Sequence, residues 1–190
     1  MVQHFKDRIT PTSWQLLLAT LYSFRTRGPP LNEEDRRVQI VSPWISDIEH
    51  RQYRLSLPIR ESVSNELGRE LNNLGQVLIA LANSGARVEL LTHPPDGNWK
   101  RDKSQAYKKS EGRFLRMLAA NEINIRYHAT NHSKSITTPL GVLNGSANIT
   151  DNGFYNNTER MTLTLRNEPG FNGARTTTWD IWYEGNTAII

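Results

Sequence analysis

The sequence predicts an α/β protein with a mixed central β-sheet and helices on both faces. Short apolar runs with strand character, at 38–41 and 87–91, alternate with longer segments whose apolar residues recur at helical spacing. Two further strand-like runs flank a proline- and glycine-containing turn at 139–141, which indicates a hairpin late in the chain. Strands joined by helices and followed by a hairpin are typical of a mixed sheet covered on both sides.

We expect the 190 residues to form one domain. Within it, residues 1–35 hold an N-terminal helix and a linker, residues 36–166 form the core, and residues 167–190 form a closing helix. Hydrophobic residues make up 37% of the chain and charged residues 22%, which is ordinary for a globular protein with a sizeable core.

Composition excludes several classes of protein. The chain has no Cys, so disulfides and thiolate metal sites are excluded. We find no charged N-terminal region followed by an apolar stretch, and no run that approaches the length of a membrane span. We therefore expect a cytoplasmic protein without a membrane partner.

The first predicted helix covers residues 12–27. Its apolar stripe consists of Trp14, Leu17, Leu18, Leu21 and Phe24. Thr12 or Ser13 is expected to cap the helix, and Gly28 with the two prolines after it is expected to end it. We interpret the stripe as the face that covers the sheet, with a dimer contact as the alternative.

The first core strand, 38–41, is followed by Trp44. Ligands of open α/β sheets favour the carboxyl edge of the strands, so Trp44 is a candidate for stacking on a base or a sugar. Packing of Trp44 beneath a loop is an equally acceptable interpretation. A charged linker at 31–37 precedes this strand.

Apolar residues at helical spacing from Ser62 to Ser84 predict one long helix, with Gly85 as its stop. The next strand, 87–91, leads to His93. Strand-end histidines are commonly capping or solvated groups, and we interpret His93 in that way.

The stretch 125–165 organises the rest of the chain. Thr138 and Val142 are predicted to pair across a three-residue hairpin loop, because Pro139 suits the first turn position and Gly141 the left-handed one. If these segments are strands, residues two apart share a face. The predicted register then places His132 opposite Asn148 and Lys134 opposite Ser146.

A patch of this composition indicates phosphate chemistry. An imidazole can attack phosphorus, an ammonium group can neutralise the non-bridging oxygens, and a carboxamide and a hydroxyl can add oriented hydrogen bonds. Glu159 stands at the head of the next alternating run, and its carboxylate could reach back to an imidazole N–H and fix the tautomer.

These residues resemble a known signature. They are His132-x-Lys134, Gly145-Ser146-x-Asn148 and Glu159. The pattern is similar to the HxK…GSxN…E motif of the phospholipase D superfamily, with the spacing of its small single-motif nucleases, and the looser resemblance extends over residues 36–166. It implies a phospholipase D-like domain. One position departs from the family, because Pro139 stands where its usual Asp would fall.

The single His-x-Lys set in the chain predicts a dimer. In-line displacement at phosphorus needs a nucleophile on one side and a proton donor on the other, and one imidazole cannot stand in both places. The chain offers one His-x-Lys set, so two copies must meet across a two-fold axis. The resemblance implies the same, since single-motif members place their site on the dimer axis. His132 of one subunit would form a phosphohistidine and His132 of the other would protonate the leaving oxygen.

The remaining roles follow from this hypothesis. Lys134 and Asn148 would hold the phosphoryl oxygens, and Ser146 and Glu159 would orient the site. No metal and no other cofactor is required, because paired lysines neutralise the charge. Metal binding by His128 and His132 is the rival, and we find no acidic or Cys ligands at matching positions.

A basic segment predicts the partner. Residues 97–118 read as a loop followed by a helix, and they hold Trp99 and Tyr107 in a chain with a pI of about 9.5. The basic residues are Lys100, Arg101, Lys103, Lys108, Lys109, Arg113 and Arg116. Beside a phosphodiester site, nucleic-acid contact is a better interpretation than a solvated face.

The sequence therefore predicts a metal-independent nuclease that binds nucleic acid, DNA rather than RNA, and acts as a homodimer. The organisation also resembles small phospholipase D-like proteins of bacterial restriction and modification islands, which implies partner proteins of a defence system. Two alternatives stay open. One is a catalytically silent nucleic-acid-binding subunit of a larger complex, and the other is a phospholipid-directed phosphodiesterase.

Overall fold

The computed structural model describes residues 2–4, 6–49, 58–68, 70–95 and 105–187. Within these ranges, eight strands form one mixed sheet. The strands are β1 (Val2–His4), β2 (Arg37–Val41), β3 (Arg87–Thr92), β4 (Asn124–Tyr127), β5 (Ser135–Thr138), β6 (Gly141–Gly145), β7 (Met161–Leu165) and β8 (Asn186–Thr187). Their order is β1-β7-β6-β5-β2-β3-β4-β8. The central strands β2, β3 and β4 are parallel and all other pairs are antiparallel, which confirms the predicted mixed sheet.

Helices cover both faces of the sheet, as predicted. They are α1 (Lys6–Arg27), α2 (Pro58–Leu67), α3 (Leu74–Asn83), α4 (Gln105–Ala119) and α5 (Phe171–Glu184). Successive side chains of β2 point to opposite faces of the sheet. On one face, Val38 and Ile40 join the large core that includes α1, α3 and α4. Val41 points to the opposite side and packs with Trp182 of α5. None of the helices in the described ranges combines the length and apolar character that a bilayer crossing needs.

The N-terminal helix begins earlier than predicted. Its first residue is Lys6, so Thr12 and Ser13 lie inside the helix, where both are buried rather than capping its start. The predicted apolar stripe is buried in the main core. Gly28, with φ of +77°, follows the last turn, as expected.

The long helix predicted at 62–84 is two helices. Gly68 follows α2 with φ of +63°, and the side chain of Asn73 caps α3 by accepting the N–H of Gln76. The leucine periodicity concealed this break because Leu71, between the helices, is also buried in the core. Gly85 ends α3 with φ of +88°, as predicted.

The hairpin is one residue tighter than predicted. Thr138 pairs with Gly141, so the loop holds two residues, and Gly141 does not adopt the left-handed conformation. The Thr138 hydroxyl accepts the N–H groups of Leu140 and Gly141 at 3.1 and 3.3 Å, which satisfies the turn without a left-handed residue. The predicted pairing of Thr138 with Val142 is therefore wrong, and the register moves by one residue.

A buried ion network lies between the sheet and α5. The Glu89 carboxylate is fully buried and accepts hydrogen bonds from Arg37 at 2.8 and 3.0 Å and from Gln39 at 2.6 Å. Arg87 forms an ion pair with its other oxygen, with Nε 2.8 Å away. The Arg37 guanidinium also lies 4.7 Å from the centre of the Trp179 ring. The Glu89 carboxylate thus compensates the buried positive charge of Arg37, whose side chain lies on the α5 side of β2.

Candidate active site

Five strand ends meet at one edge of the sheet. The parallel strands β2 and β3 end there, and antiparallel pairing brings the start of β5 and the end of β6 to the same edge, with Val41 opposite Ser135 and Ser135 opposite Asn144. The start of β7 joins them, since Met161 pairs with Gly145. This edge carries the predicted candidates His132, Lys134, Ser146, Asn148, Glu159 and Trp44.

His132 and Lys134 precede β5 on an irregular segment and not on a strand, contrary to the prediction. The His132 side chain is exposed, and Lys134 Nζ donates to the backbone oxygen of His132. The N–H of Gly145 donates to the Lys134 oxygen at 3.0 Å, which places the Gly145–Asn148 segment directly beside the lysine. The two motif segments therefore lie close together on loops and not on paired strands. Lys134 is opposite Gly145 rather than Ser146.

Ser146 and Glu159 form a pair. Ser146 Oγ donates to Glu159 Oε2 at 2.5 Å and accepts the N–H of Arg160 at 3.0 Å. The other carboxylate oxygen accepts from Asn157 at 3.2 Å. Among the described residues, no hydrogen bond joins Glu159 to the His132 ring, and the role of Glu159 in fixing the imidazole tautomer stays a prediction. Ser146 and Asn157 occupy both oxygens instead.

Two glycines permit the close packing of this edge. A Cβ atom at Gly145 would lie 2.1 Å from the Arg160 oxygen, and one at Gly153, in a π-helical turn (Asn152–Asn156), would lie 2.1 Å from the Asn148 oxygen. Any side chain at either position would push the strand or the turn away. The backbone of Asn148 is thus held against the turn.

Asn148 is half-buried, and its neighbours are bonded to the loop after β2. Ile149 donates its N–H to Ser42 Oγ at 3.0 Å, and Ser46 donates to the Ile149 oxygen at 2.9 Å. Asn148 Oδ1 is buried and has no hydrogen-bond partner among the described residues. A buried polar atom of this kind is expected to meet a partner from outside the chain.

The surroundings of Lys134 change the pKa of its ammonium group. Burial lowers the pKa of Lys134 below its usual value, and the negative charge of Glu159 acts in the opposite direction with a smaller effect. Lys134 also lines a cavity of about 190 Å³ between this edge and α5. The ammonium group is thus held partly out of water, where its attraction to a phosphate oxygen is strengthened.

This electrostatic arrangement predicts a pH effect. Hydrolysis that needs the charged ammonium should be lost as pH rises through the lowered pKa of Lys134. In Glu159→Gln the charge that favours the ammonium is gone, so the pKa of Lys134 falls further and the alkaline limb of the rate profile moves to lower pH. Rates of diester hydrolysis between neutral and alkaline pH would measure this. A limb that moves to higher pH, or stays in place, would contradict it.

His93 is a residue of the site that the sequence interpretation missed. It is buried, and its ring lies edge-on to the His132 ring with 6.2 Å between the centroids. His93 Nε2 lies 2.7 Å from the Asn131 oxygen; a carbonyl only accepts, so His93 donates. His93 thereby anchors the residue that precedes His132. Its position directly after β3 was the sequence feature that could have indicated a site residue.

Trp44 borders a second cavity, which we call the side cavity. It has a volume of about 470 Å³. Its lining is Trp44, Ser46, Asp47, Tyr107, Ser110, Asn148, Thr150, Asp151, Asn152 and Asn157. Because Asn148 belongs to this lining, the side cavity adjoins the Gly145–Asn148 segment, whose first residue is bonded to the Lys134 oxygen.

The described part of the basic segment lies on α4. Lys108 is half-buried and Lys109 is exposed, and they fall between Tyr107 and Ser110 of the side cavity. Trp99, Lys100, Arg101 and Lys103, which were also predicted to contact substrate, lie outside the described residues.

The rival metal site finds no support in the contacts of His128. Its Nε2 lies 3.5 Å from Glu184, and its Nδ1 accepts the Thr130 N–H at 3.3 Å. Among the side chains that the structure describes, no group of three or more His, Cys, Asp or Glu could hold a metal ion.

Comparisons with known proteins agree with the resemblance in the motif. A family model described as "Cardiolipin synthase, PLD-like domain" matches residues 67–169, more than half of the chain. The structure of Nuc, a phospholipase D family member from Salmonella typhimurium, is similar with a TM-score of 0.60 and 14% identity, covering 100% of this chain and 97% of that one. NucT from Helicobacter pylori is similar with a TM-score of 0.52 and 12% identity, covering 98% of both chains.

A polyphosphate kinase from Porphyromonas gingivalis is also similar, with a TM-score of 0.52 and 11% identity. The match covers 96% of this chain and 26% of the kinase. No curated protein matches the chain. At these identities the structural likenesses show the fold, and the match to the family model shows the relationship.

Proposed function

This chain belongs to the phospholipase D-like family, and from that membership we propose that it is a metal-independent nuclease whose site is completed by a second copy of the chain. The observation that carries the proposal is the approach of two segments, His132–Lys134 and Gly145–Asn148, at one sheet edge, where the N–H of Gly145 donates to the Lys134 oxygen. These segments supply a nucleophile, a cation and an amide for one phosphodiester. Nuc and NucT, both of similar fold, support it.

The proposed reaction has two displacements. A nitrogen of His132 attacks phosphorus while the bond to the leaving oxygen breaks, which gives a phosphohistidine. His132 of the partner subunit gives its proton to the leaving oxygen and then takes a proton from water. That water attacks phosphorus, the N–P bond breaks, and a phosphate monoester leaves with both histidines restored. Lys134 and Asn148 of both chains hold the non-bridging oxygens.

Exposure of His132 supports the dimer. The His132 side chain is exposed, whereas His93, the histidine beside it, is buried and its Nε2 is engaged by the Asn131 oxygen, so we do not assign His93 the second catalytic role. The second imidazole that in-line chemistry needs is therefore proposed to come from a two-fold partner. Ser146 and Glu159 orient the segment that carries Asn148.

Nucleic acid is the proposed substrate because of α4. Lys109, Arg113 and Arg116 recur at helical spacing and are all exposed, while Phe114, Leu115 and Leu118 on the opposite side are buried. A basic exposed stripe beside a phosphodiester site suits the repeated phosphates of a polynucleotide. We favour DNA over RNA, and a setting in bacterial DNA restriction or modification defence, on the resemblance of the motif and the chain organisation.

The test is hydrolysis of end-labelled single-stranded DNA, duplex DNA and RNA in excess EDTA, with phospholipid vesicles as a fourth substrate. We expect cleavage of nucleic acid that chelation leaves unchanged. Activity that disappears with EDTA would contradict the metal-independent mechanism, and turnover of the lipid alone would favour the phospholipid-directed alternative. Binding of nucleic acid without any cleavage would favour the catalytically silent subunit.

A subunit-mixing experiment tests the dimer separately. If each site needs His132 from both chains, wild type exchanged with an equal amount of inactive His132→Ala should lose about half of its activity per wild-type subunit. Sedimentation of the same mixtures measures the dimer. Activity proportional to wild-type protein at every mixing ratio would show that each chain works alone.

A further inference from the structure

We propose that the side cavity holds one unpaired nucleobase next to the scissile phosphate, so that the substrate is single-stranded nucleic acid. The inference rests on the proposed nuclease function and adds its substrate class. Its first support is position. Asn148 lines the side cavity and belongs to the motif that is proposed to hold the phosphate, so a nucleotide at the site has its base or sugar within reach of the cavity.

The chemistry of the lining favours a base over a phosphate. Among the described residues that line the cavity, none is Lys or Arg, and two carboxylates, Asp47 and Asp151, would repel a phosphate group. Trp44 and Tyr107 offer aromatic faces on which a planar neutral ring can stack. The amides of Asn148, Asn152 and Asn157 offer both donors and acceptors to the edge of that ring.

The size fits a small ligand. A volume of about 470 Å³ lies within the range of roughly 300–1,000 Å³ that is usual for small-molecule sites. Burial raises the pKa of the Tyr107 phenol, with the charge of Glu111 adding to the effect, so Tyr107 stays a neutral hydrogen-bond donor. Burial also raises the pKa of Asp47, which lines the same cavity.

The walls are held in place before any ligand binds. Ser42 Oγ donates to the Trp44 oxygen at 2.5 Å, and the N–H of Ile45 lies 3.5 Å from the buried carboxylate of Glu111 on α4. Asp47 accepts the N–H of Gly75 at the start of α3, at 2.8 Å. Trp44 and Tyr107 are thus positioned by the same contacts that join the loop after β2 to α4.

A paired base cannot use this cavity. A base must leave its stack to enter a pocket beside its own phosphate, and a single strand does so at little cost whereas a duplex must be unpaired. The exposed stripe on α4 can contact neighbouring phosphates while one base is inserted. Single-stranded nucleic acid is therefore expected to bind more tightly than duplex of the same sequence.

The experiment measures binding in the His132→Ala background, where no turnover is needed. Fluorescence anisotropy would compare a labelled single-stranded oligonucleotide, its duplex, and a strand of equal length built from tetrahydrofuran abasic units, which keeps every phosphate and removes every base. We expect the normal strand to bind about tenfold or more tightly than the abasic strand. Adding Trp44→Ala should remove this preference without weakening abasic binding, and Trp44→Phe should restore most of it.

A second test variant and a control variant complete the experiment. Tyr107→Leu removes the second aromatic face and leaves less empty space than alanine would. It should also reduce the preference, which keeps the test valid if Trp44→Ala fails to fold. Tyr22→Ala, at an exposed aromatic residue of α1 with 41% exposure, is the matched control and should leave the preference intact.

Equal binding of normal and abasic strands, equal binding of single strand and duplex, or a preference that survives both Trp44→Ala and Tyr107→Leu would overturn the inference. These readouts do not use hydrolysis. A protein that fails the EDTA cleavage assay can therefore still pass the binding test, and the two failures are distinguishable.

Discussion

Replacing His132 by alanine is expected to lower the rate of phosphodiester hydrolysis by about 10⁴-fold or more, because the variant has no group that can attack phosphorus. Both roles are lost at once in the proposed dimer, since the same residue supplies the nucleophile and the proton donor. Binding of nucleic acid should change little, as the basic stripe of α4 is untouched. Gel analysis of a labelled single strand in EDTA measures the rate, and acid-labile ³²P retained on wild-type protein would identify the phosphohistidine.

His128→Asn is the matched control for His132→Ala. His128 belongs to the same loop, and asparagine can keep an acceptor for the Thr130 N–H that His128 Nδ1 now accepts. We expect the control to retain activity within a few-fold. If His128→Asn is as inactive as His132→Ala and added metal ions restore the wild-type rate, the rival metal site would be correct. Full activity of His132→Ala would remove the mechanism altogether.

Replacing Glu89 by alanine is expected to lower the free energy of unfolding by about 3–5 kcal/mol, which is a large part of the roughly 5–15 kcal/mol that stabilises a typical domain. The cause is the buried Arg37 guanidinium, which would lose its carboxylate partner while it stays out of water beneath α5. Arg87 contributes less, because its side chain is 47% exposed and can turn to solvent. Urea unfolding at neutral pH measures the change.

Glu66→Ala is the control for Glu89→Ala. Glu66 is exposed on α2, and its replacement should change the free energy of unfolding by no more than about 0.5 kcal/mol. The double variant Arg37→Met with Glu89→Leu removes both charges and should recover much of the lost stability. A loss below about 1 kcal/mol in Glu89→Ala, or no recovery in the double variant, would show that the pair does not carry this energy.

The hairpin illustrates what the residue pattern could and could not predict. Proline and glycine near residue 140 correctly marked a turn between antiparallel strands, because turn residues act through their own backbone. The register was wrong by one residue, since the Thr138 hydroxyl satisfies the turn N–H groups and allows a shorter loop. His132 and Asn148 lie beyond the ends of the paired strands, so a strand model could not locate them.

The other differences between the sequence predictions and the structure concern buried residues. Leu71 continues a helical repeat across the break between α2 and α3, because a buried linker residue looks the same in sequence as a buried helical one. Its place at a strand end favours a capping or solvated role for His93, and only the packing of β3 beside the His132 loop places its ring 6.2 Å from the His132 ring. Likewise, nothing local in the sequence shows that Arg37 and Glu89 meet across two parallel strands.

By itself the sequence determined the α/β class, the hairpin, the HxK and GSxN segments and their family, because hydrophobic period, turn residues and motif spacing are local properties of a chain. Only the tertiary structure decided that Ser146 engages Glu159, that His93 supports the His132 loop and that Trp44 and Tyr107 border one cavity. These contacts join residues far apart in the chain, and their geometry depends on how the strand ends meet at one edge of the sheet.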